Sequence, residues 1–163
     1  MSSIILVTHN QHQSSTLAAI YDRILTRRGG LWISWDGEKA APASDSKRGL
    51  AFRHGSDYDT LSFSLTRSEL EEGYHGYVHQ GLWPVFHQRP DLAHFTPQSM
   101  TSYRELNEAY ARAISDYAMP DDAIWIQDYH FIPVVKMLRD AGLTHRIGLF
   151  FHQPFPSGQM FEA

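Results

Sequence analysis

IWIQDYHFIPVVKMLRDAGLTHRIGLFFHQPFP, residues 124–156, holds both of the sequence's periodicities and most of its candidate chemistry. Ile124, Trp125 and Ile126 form a short apolar run that stops at the polar pair Gln127 and Asp128, the pattern of a strand covered on both faces. Phe131, Ile132, Val134, Val135 and Leu138 then recur at helical spacing. Pro133 falls in the first turn, where its missing N–H costs little, and Gly142 marks a stop. The spacing predicts a helix from near Asp128 to near Ala141. Residues 147–151 are a second apolar run, expected to be a buried strand, closed by His152 and by Pro154 and Pro156, which cannot continue a central strand. Two buried strands joined by a helix imply a right-handed parallel crossover. Asp128, Tyr129, His130 and His152 are then expected at the carboxyl ends of neighbouring strands, where open α/β sheets bind ligands.

The start of the chain follows the same logic. Residues 4–7, IILV, read as a buried strand ended by Thr8, His9, Asn10 and Gln11. A helix follows with Leu17, Ile20, Tyr21, Ile24 and Leu25 on one stripe, Ser14 or Ser15 as N-cap, and Arg27, Arg28 and Gly29 at its end. Residues 31–35 are the next strand, so the opening is also βαβ. The class is α/β, a Rossmann-like parallel sheet flanked by helices.

Composition narrows the function. At 163 residues, 42% hydrophobic and 20% charged, the chain suffices for one core and one domain. A net charge of −4 argues against nucleic-acid and anionic-membrane partners. There is no cysteine, hence no disulfide framework or thiolate site. No apolar run is long enough to span a bilayer and none resembles a secretory leader, so the expected location is the cytoplasm.

Between these units, residues 40–46 read as an exposed excursion, 50–54 as a short strand, and 61–65, LSFSL, as a half-exposed strand. Thr66, Arg67, Ser68 and Glu69 match a capping box opening a short helix through Glu72. Residues 74–92, YHGYVHQGLWPVFHQRPDL, are rich in groups that could meet a sugar phosphate. A phenol such as Tyr74 donates to phosphate oxygens, and an indole such as Trp83 offers a flat apolar face and one N–H. Packing is the competing role for Trp83 and Phe86. His75, His79 and His87 are read as a solvated face rather than a metal site, because no carboxylate or cysteine accompanies them. Thr96 caps a long scaffold helix through Tyr117 with Pro97 at its first position, and Tyr103, Leu106, Tyr110, Ala113, Ile114 and Tyr117 share one face. A turn at residues 119–122 leads into the strand at 124. Asp128 and His152 form the candidate catalytic pair: the carboxylate binds vicinal hydroxyls and the imidazole stabilises charge on a leaving oxygen. Asp128 also suits a helix N-cap, and His130 suits a satisfied buried imidazole.

WIQDYHFIP at 125–133, RIGLFFHQPFPS at 146–157 and GLWPVFHQRPDL at 81–92 together resemble the retaining trehalose-6-phosphate synthases, over a stretch from about Trp32 to the C-terminus. The resemblance implies the N-terminal, acceptor-side half of a GT-B glycosyltransferase transferring glucose from UDP-glucose or a similar nucleotide sugar to glucose 6-phosphate. It implies no metal or other cofactor, a front-face mechanism in which the departing phosphate takes the acceptor proton, and a homo-oligomeric assembly. By the same resemblance Tyr74 and Trp83 bind the acceptor phosphate and line its pocket, Asp128 contacts the acceptor glucose and His152 the donor sugar. The nucleotide-binding half is absent from residues 1–163, so this stretch is expected to be an incomplete domain, inactive by itself. One departure concerns Asn10, a substrate-binding candidate that stands where the family carries a phosphate-binding Arg; its amide can donate one hydrogen bond but cannot replace a bidentate guanidinium. The loop after it is shorter than the family's and has no glycine before Gly29. His9 or His12 would compensate if protonated, but both read as solvated loop residues. These departures keep two alternatives open, a transferase acting on another polyol or cyclitol phosphate and a non-catalytic sugar-phosphate-binding homologue.

Overall fold

The structure, a computed structural model, describes residues 3–10, 16–37 and 47–158. Asn10's side chain, the capping serines Ser14 and Ser15, His12 and the excursion at 40–46 lie outside the described residues. Six strands form one sheet: β1 (Ile4–Asn10), β2 (Gly30–Trp35), β3 (Gly49–Arg53), β4 (Asp59–Ser64), β5 (Ala123–Gln127) and β6 (Arg146–Phe150), in the order β3-β4-β2-β1-β5-β6. All pairings are parallel except that of β3 with β4. The parallel sheet expected from sequence thus carries one antiparallel edge.

The sheet is covered on both faces near its centre, which explains the unbroken apolar runs. Leu6 and Trp32 pack against Tyr21 and Leu25 of helix α1 (Thr16–Arg28). Ile5, Val7, Ile33 and Ile124 face the other way, toward Tyr110 and Ile114 of α3 (Pro97–Tyr117) and Val134 and Leu138 of α4 (Ile132–Asp140). Thr96 caps α3 through a reciprocal pair of bonds with Ser99, and Pro97 stands at its start, where its missing donor is not needed. A short 3-10 turn, Tyr129–Phe131, precedes α4.

Two expectations change. The short helix through Glu72 is instead a long one, α2: a wide, π-type segment Glu69–Leu82 continued by an α-helical turn, Trp83–Phe86. The capping bonds at its start are present, Thr66 N–H to Glu69 Oε2 at 2.9 Å and Glu69 N–H to Thr66 Oγ1 at 3.2 Å, and Arg48 pairs with Glu69. The glycines of α2 are places of close approach. A Cβ on Gly73 would lie 3.1 Å from Ser102 Oγ on α3, and one on Gly81 would collide with the Phe95 ring. The second change is β6, expected to be buried; it is an edge strand with Gly148 and Phe150 exposed. On the α1 side a trough of about 700 Å³, lined by Ile24, Trp125 and Ile147 with Arg27, Arg28 and Arg146, stays open over β5 and β6. No helix among the described residues is long and apolar enough to cross a membrane.

Gly30 and Gly142 both have positive φ, 130° and 85°, but different surroundings. A Cβ on Gly30 would lie 2.0 Å from the Ile4 carbonyl oxygen, whereas one on Gly142 meets nothing within 4 Å. Gly30→Ala is expected to cost about 3 kcal/mol or more, because the clash is with backbone of the central strand. Gly142→Ala is expected to cost about 1 kcal/mol, the left-handed penalty alone. Urea midpoints of the two variants check the contrast.

Candidate functional site

The carboxyl ends of β1, β5 and β6 meet α1 and α2 around a cavity of about 380 Å³, within the ordinary size of a small-molecule site. Asp128 directly follows β5 with φ 73° and ψ 170°, a conformation disfavoured for any residue other than glycine. The turn points its N–H at the Phe150 carbonyl of β6, 2.6 Å away, and returns its carboxylate to accept the Tyr129 N–H at 2.9 Å. The His152 backbone N–H also bonds this carboxylate. Asp128 is therefore a cap of the turn before α4 as well as a cavity residue. Burial raises its pKa above the ordinary carboxylate value, opposed by the Tyr129 N–H and the His152 side chain.

His152 follows β6 and is exposed at the cavity mouth. Its Nε2 lies 3.2 Å from both Tyr21 Oη and Gln127 Oε1, and Tyr21 Oη donates to Gln127 Oε1 at 2.8 Å. Tyr74 projects from α2, buried, with its ring edge-on to Trp35 at 4.8 Å and tilted against His79 at 4.6 Å. Trp83, 44% exposed, stands beside it at the end of α2 with one face stacked on His87 at 4.0 Å. His87 is thereby taken away from His75 and His79, whose rings are 5.8 Å apart. Among the described residues no group of three or more His, Cys, Asp or Glu side chains is arranged to hold a metal ion.

The structure thus brings Tyr74, Trp83, Asp128 and His152 to one cavity. Of Asn10 it describes the backbone, the last residue of β1. Phe86 is buried against Tyr129 and Phe151, a packing residue. His9 overturns the reading of a solvated loop residue. It lies within β1, partly buried, its ring parallel to that of His130 at 4.1 Å and 2°. Burial, with the neighbouring His79 and His152, lowers the His9 pKa to about 4, so it carries no charge near neutrality. His130 is buried and shifted down for the same reason, and its Nδ1 has no partner among the described residues, so it is not the satisfied imidazole that a core role would require. None of the described residues lining the cavity is Lys or Arg.

A family model described as glycosyltransferase family 20 matches residues 6–163. The chain belongs to glycosyltransferase family 20. A trehalose-6-phosphate synthase of Sinorhizobium fredii is 37% identical over 128 residues, which cover 78% of this chain and 27% of that protein. Among solved structures, one described as trehalose-6-phosphate from Escherichia coli bound with UDP-2-fluoro glucose matches with a TM-score of 0.87 and 32% identity, over 99% of this chain and 35% of its own. An α,α-trehalose-phosphate synthase (UDP-forming) from Burkholderia xenovorans in complex with glucose-6-phosphate matches at 0.85 and 29%, over 99% and 36%. The chain spans 27% to 36% of the length of these relatives. Its fold is that of the N-terminal region of family 20 GT-B enzymes.

Sequence reasoning missed Tyr21, Gln127 and the His9–His130 stack in this family 20 site. Tyr21 was legible only as a core residue of α1, and Gln127 only as the end of a strand, because their partners lie far away in the chain. The signal available for His9 was its place directly after four apolar strand residues and Thr8.

A histidine whose pKa is lower in the folded state than in the unfolded chain takes up a proton on unfolding. Its contribution to stability is complete above about pH 6.5 and is lost as the pH falls toward 4. The urea midpoint is expected to fall across that window, and His9→Phe, which keeps the stack and removes the titration, is expected to make the fall shallower. Urea titrations of both proteins at a series of pH values check this.

Proposed function

We propose that this chain forms the acceptor side of a retaining hexosyltransferase, which moves glucose from UDP-glucose or a similar nucleotide sugar to glucose 6-phosphate, forming trehalose 6-phosphate. The observation that carries the reading is the convergence of Tyr74, Trp83, Asp128 and His152 on one cavity at the strand ends of a family 20 chain. The solved relatives whose descriptions name UDP-2-fluoro glucose and glucose-6-phosphate supply the two ligand classes.

The geometry suits this chemistry. The Asp128 carboxylate, ordered by two backbone N–H groups, accepts hydrogen bonds from adjacent acceptor hydroxyls and sets their angle to the donor. The Trp83 face and the Tyr74 phenol bracket the acceptor at its phosphate end. His152, at the mouth of the cavity, meets the donor sugar. In the proposed step the bond from an acceptor oxygen to the anomeric carbon forms as the bond to the nucleotide phosphate breaks, on the same face. The acceptor proton passes to the departing phosphate oxygen, so no protein base is needed. The nucleotide sugar is a substrate, and no step is routed through a metal. The residues that grip the nucleotide are assigned to the part of the family's length that this chain does not span. We also place the protein in the cytoplasm, the location expected from its sequence.

A second reading, a transferase for a different acceptor, draws on the described cavity lining without Lys or Arg, on the neutral imidazoles of His9 and His130, and on Asn10. The choice is made by calorimetric titration of the chain with glucose 6-phosphate. Saturable binding, weakened about 10-fold or more in the Tyr74→Phe, Trp83→Ala double variant, is the expected result. A folded chain that ignores glucose 6-phosphate and binds another phosphorylated polyol selects the second reading. In the complete gene product, Asp128→Asn and His152→Ala are each expected to lower turnover by about 100-fold or more, measured as nucleotide diphosphate release.

A further inference from the structure

We infer that Gln127, pinned by Tyr21, is a positioning residue that holds the His152 ring and fixes its tautomer with the hydrogen on Nε2, leaving Nδ1 as the ring's acceptor. The argument rests on one triangle of atoms. Tyr21 Oη donates its only hydrogen to Gln127 Oε1 across 2.8 Å. Both atoms that face His152 Nε2 at 3.2 Å, Gln127 Oε1 and Tyr21 Oη, therefore present lone pairs to it. Two acceptors in contact with one ring nitrogen require a hydrogen on that nitrogen, and a neutral imidazole has only one N–H.

The triangle is rigid. The Tyr21 ring is held edge-on by Trp125 at 5.5 Å and 90°, and by Trp32 at 6.1 Å and 83°. Gln127 is buried at the last position of β5. The His152 backbone N–H is bonded to Asp128, so the residue is fixed at main chain and ring together. A buried tyrosine, a buried glutamine and the loop after β6 thus converge on the exposed histidine, and the bare Nδ1 is set to accept a hydrogen bond from a sugar hydroxyl. Positioning of this kind removes ring rotation and tautomer exchange from the cost of meeting a substrate. The use of Nδ1 by a sugar rests on the function proposed above; the tautomer does not.

The test is long-range ¹H–¹⁵N correlation of the histidine rings in the ¹⁵N-labelled chain at about pH 8.5, two units above the ordinary imidazole pKa. His152 is expected as a single Nε2–H tautomer, sliding to the mixed tautomers of an unfolded histidine peptide in Gln127→Met and locked again in Gln127→Glu, whose carboxylate only accepts. Tyr21→Phe is expected to keep the Nε2–H form, because Gln127 Oε1 still accepts from it. Predominant Nδ1–H in the unaltered chain would mean that the amide is reversed and Tyr21 donates to the ring, which overturns the inference. So would a tautomer switch in Tyr21→Phe, or a Gln127→Met pattern like that of the unaltered chain. The Tyr21→Phe arm decides the question if Gln127→Met does not fold. A locked tautomer in a chain that binds no sugar phosphate would sink the proposed acceptor and leave this inference standing.

Discussion

The site depends on the hydrogen bond from the Asp128 N–H to the Phe150 carbonyl oxygen. It ties the end of β5 to the end of β6 and holds Asp128 in a left-handed conformation that costs about 1–3 kcal/mol. The two backbone N–H groups that the carboxylate receives as a result, from Tyr129 and His152, offset that cost at about 1 kcal/mol each or somewhat more. One turn therefore does three things: it starts the 3-10 segment leading to α4, orders a carboxylate in a cavity, and anchors the main chain of His152.

Around that turn the electrostatics are set by burial. The stacked imidazoles of His9 and His130 stay neutral, and Asp128 is the acidic group whose ionisation burial resists. Rings dominate the walls: Tyr74, Trp83, Tyr129 and the histidines present faces and single donors rather than fixed charge. Such a surface offers apolar faces and single polar contacts. The wide helix α2 serves it directly, since its packing against α3 through Gly73 seats Tyr74 in the cavity wall.

What the sequence made legible was local. The strand at 124, the helix with Leu138 on its inner stripe and the capped α3 follow from periodicity within a dozen or so residues, and Asp128 and His152 stand at the boundaries of those elements. The misreadings have one physical origin, contacts between residues distant in sequence. The length of α2 was missed because Ser102, Ser99 and Phe95, against which Gly73, Gly76 and Gly81 pack, are read elsewhere in the chain. Residues 147–151 looked like a buried strand because apolar composition does not reveal which strand is the last of its sheet. Tyr21 and His152 are 131 positions apart, and nothing in the sequence of either announces the other.

Because β1 lies between β2 and β5, with Ile4 opposite Ala123, one of its edges is paired by the next strand in sequence and the other by a strand more distant in the chain than α1, β2, β3 and β4. Until the second pairing forms, one edge of β1 with its apolar run at residues 4–7 is an open template, and α1 and β2 are the elements near enough in sequence to shelter it. Loop closure over that span is slow, and unpaired central strands are the usual seeds of misassembly. The short β1–α1–β2 unit is thus a holding structure for the folding chain as well as one wall of the cavity.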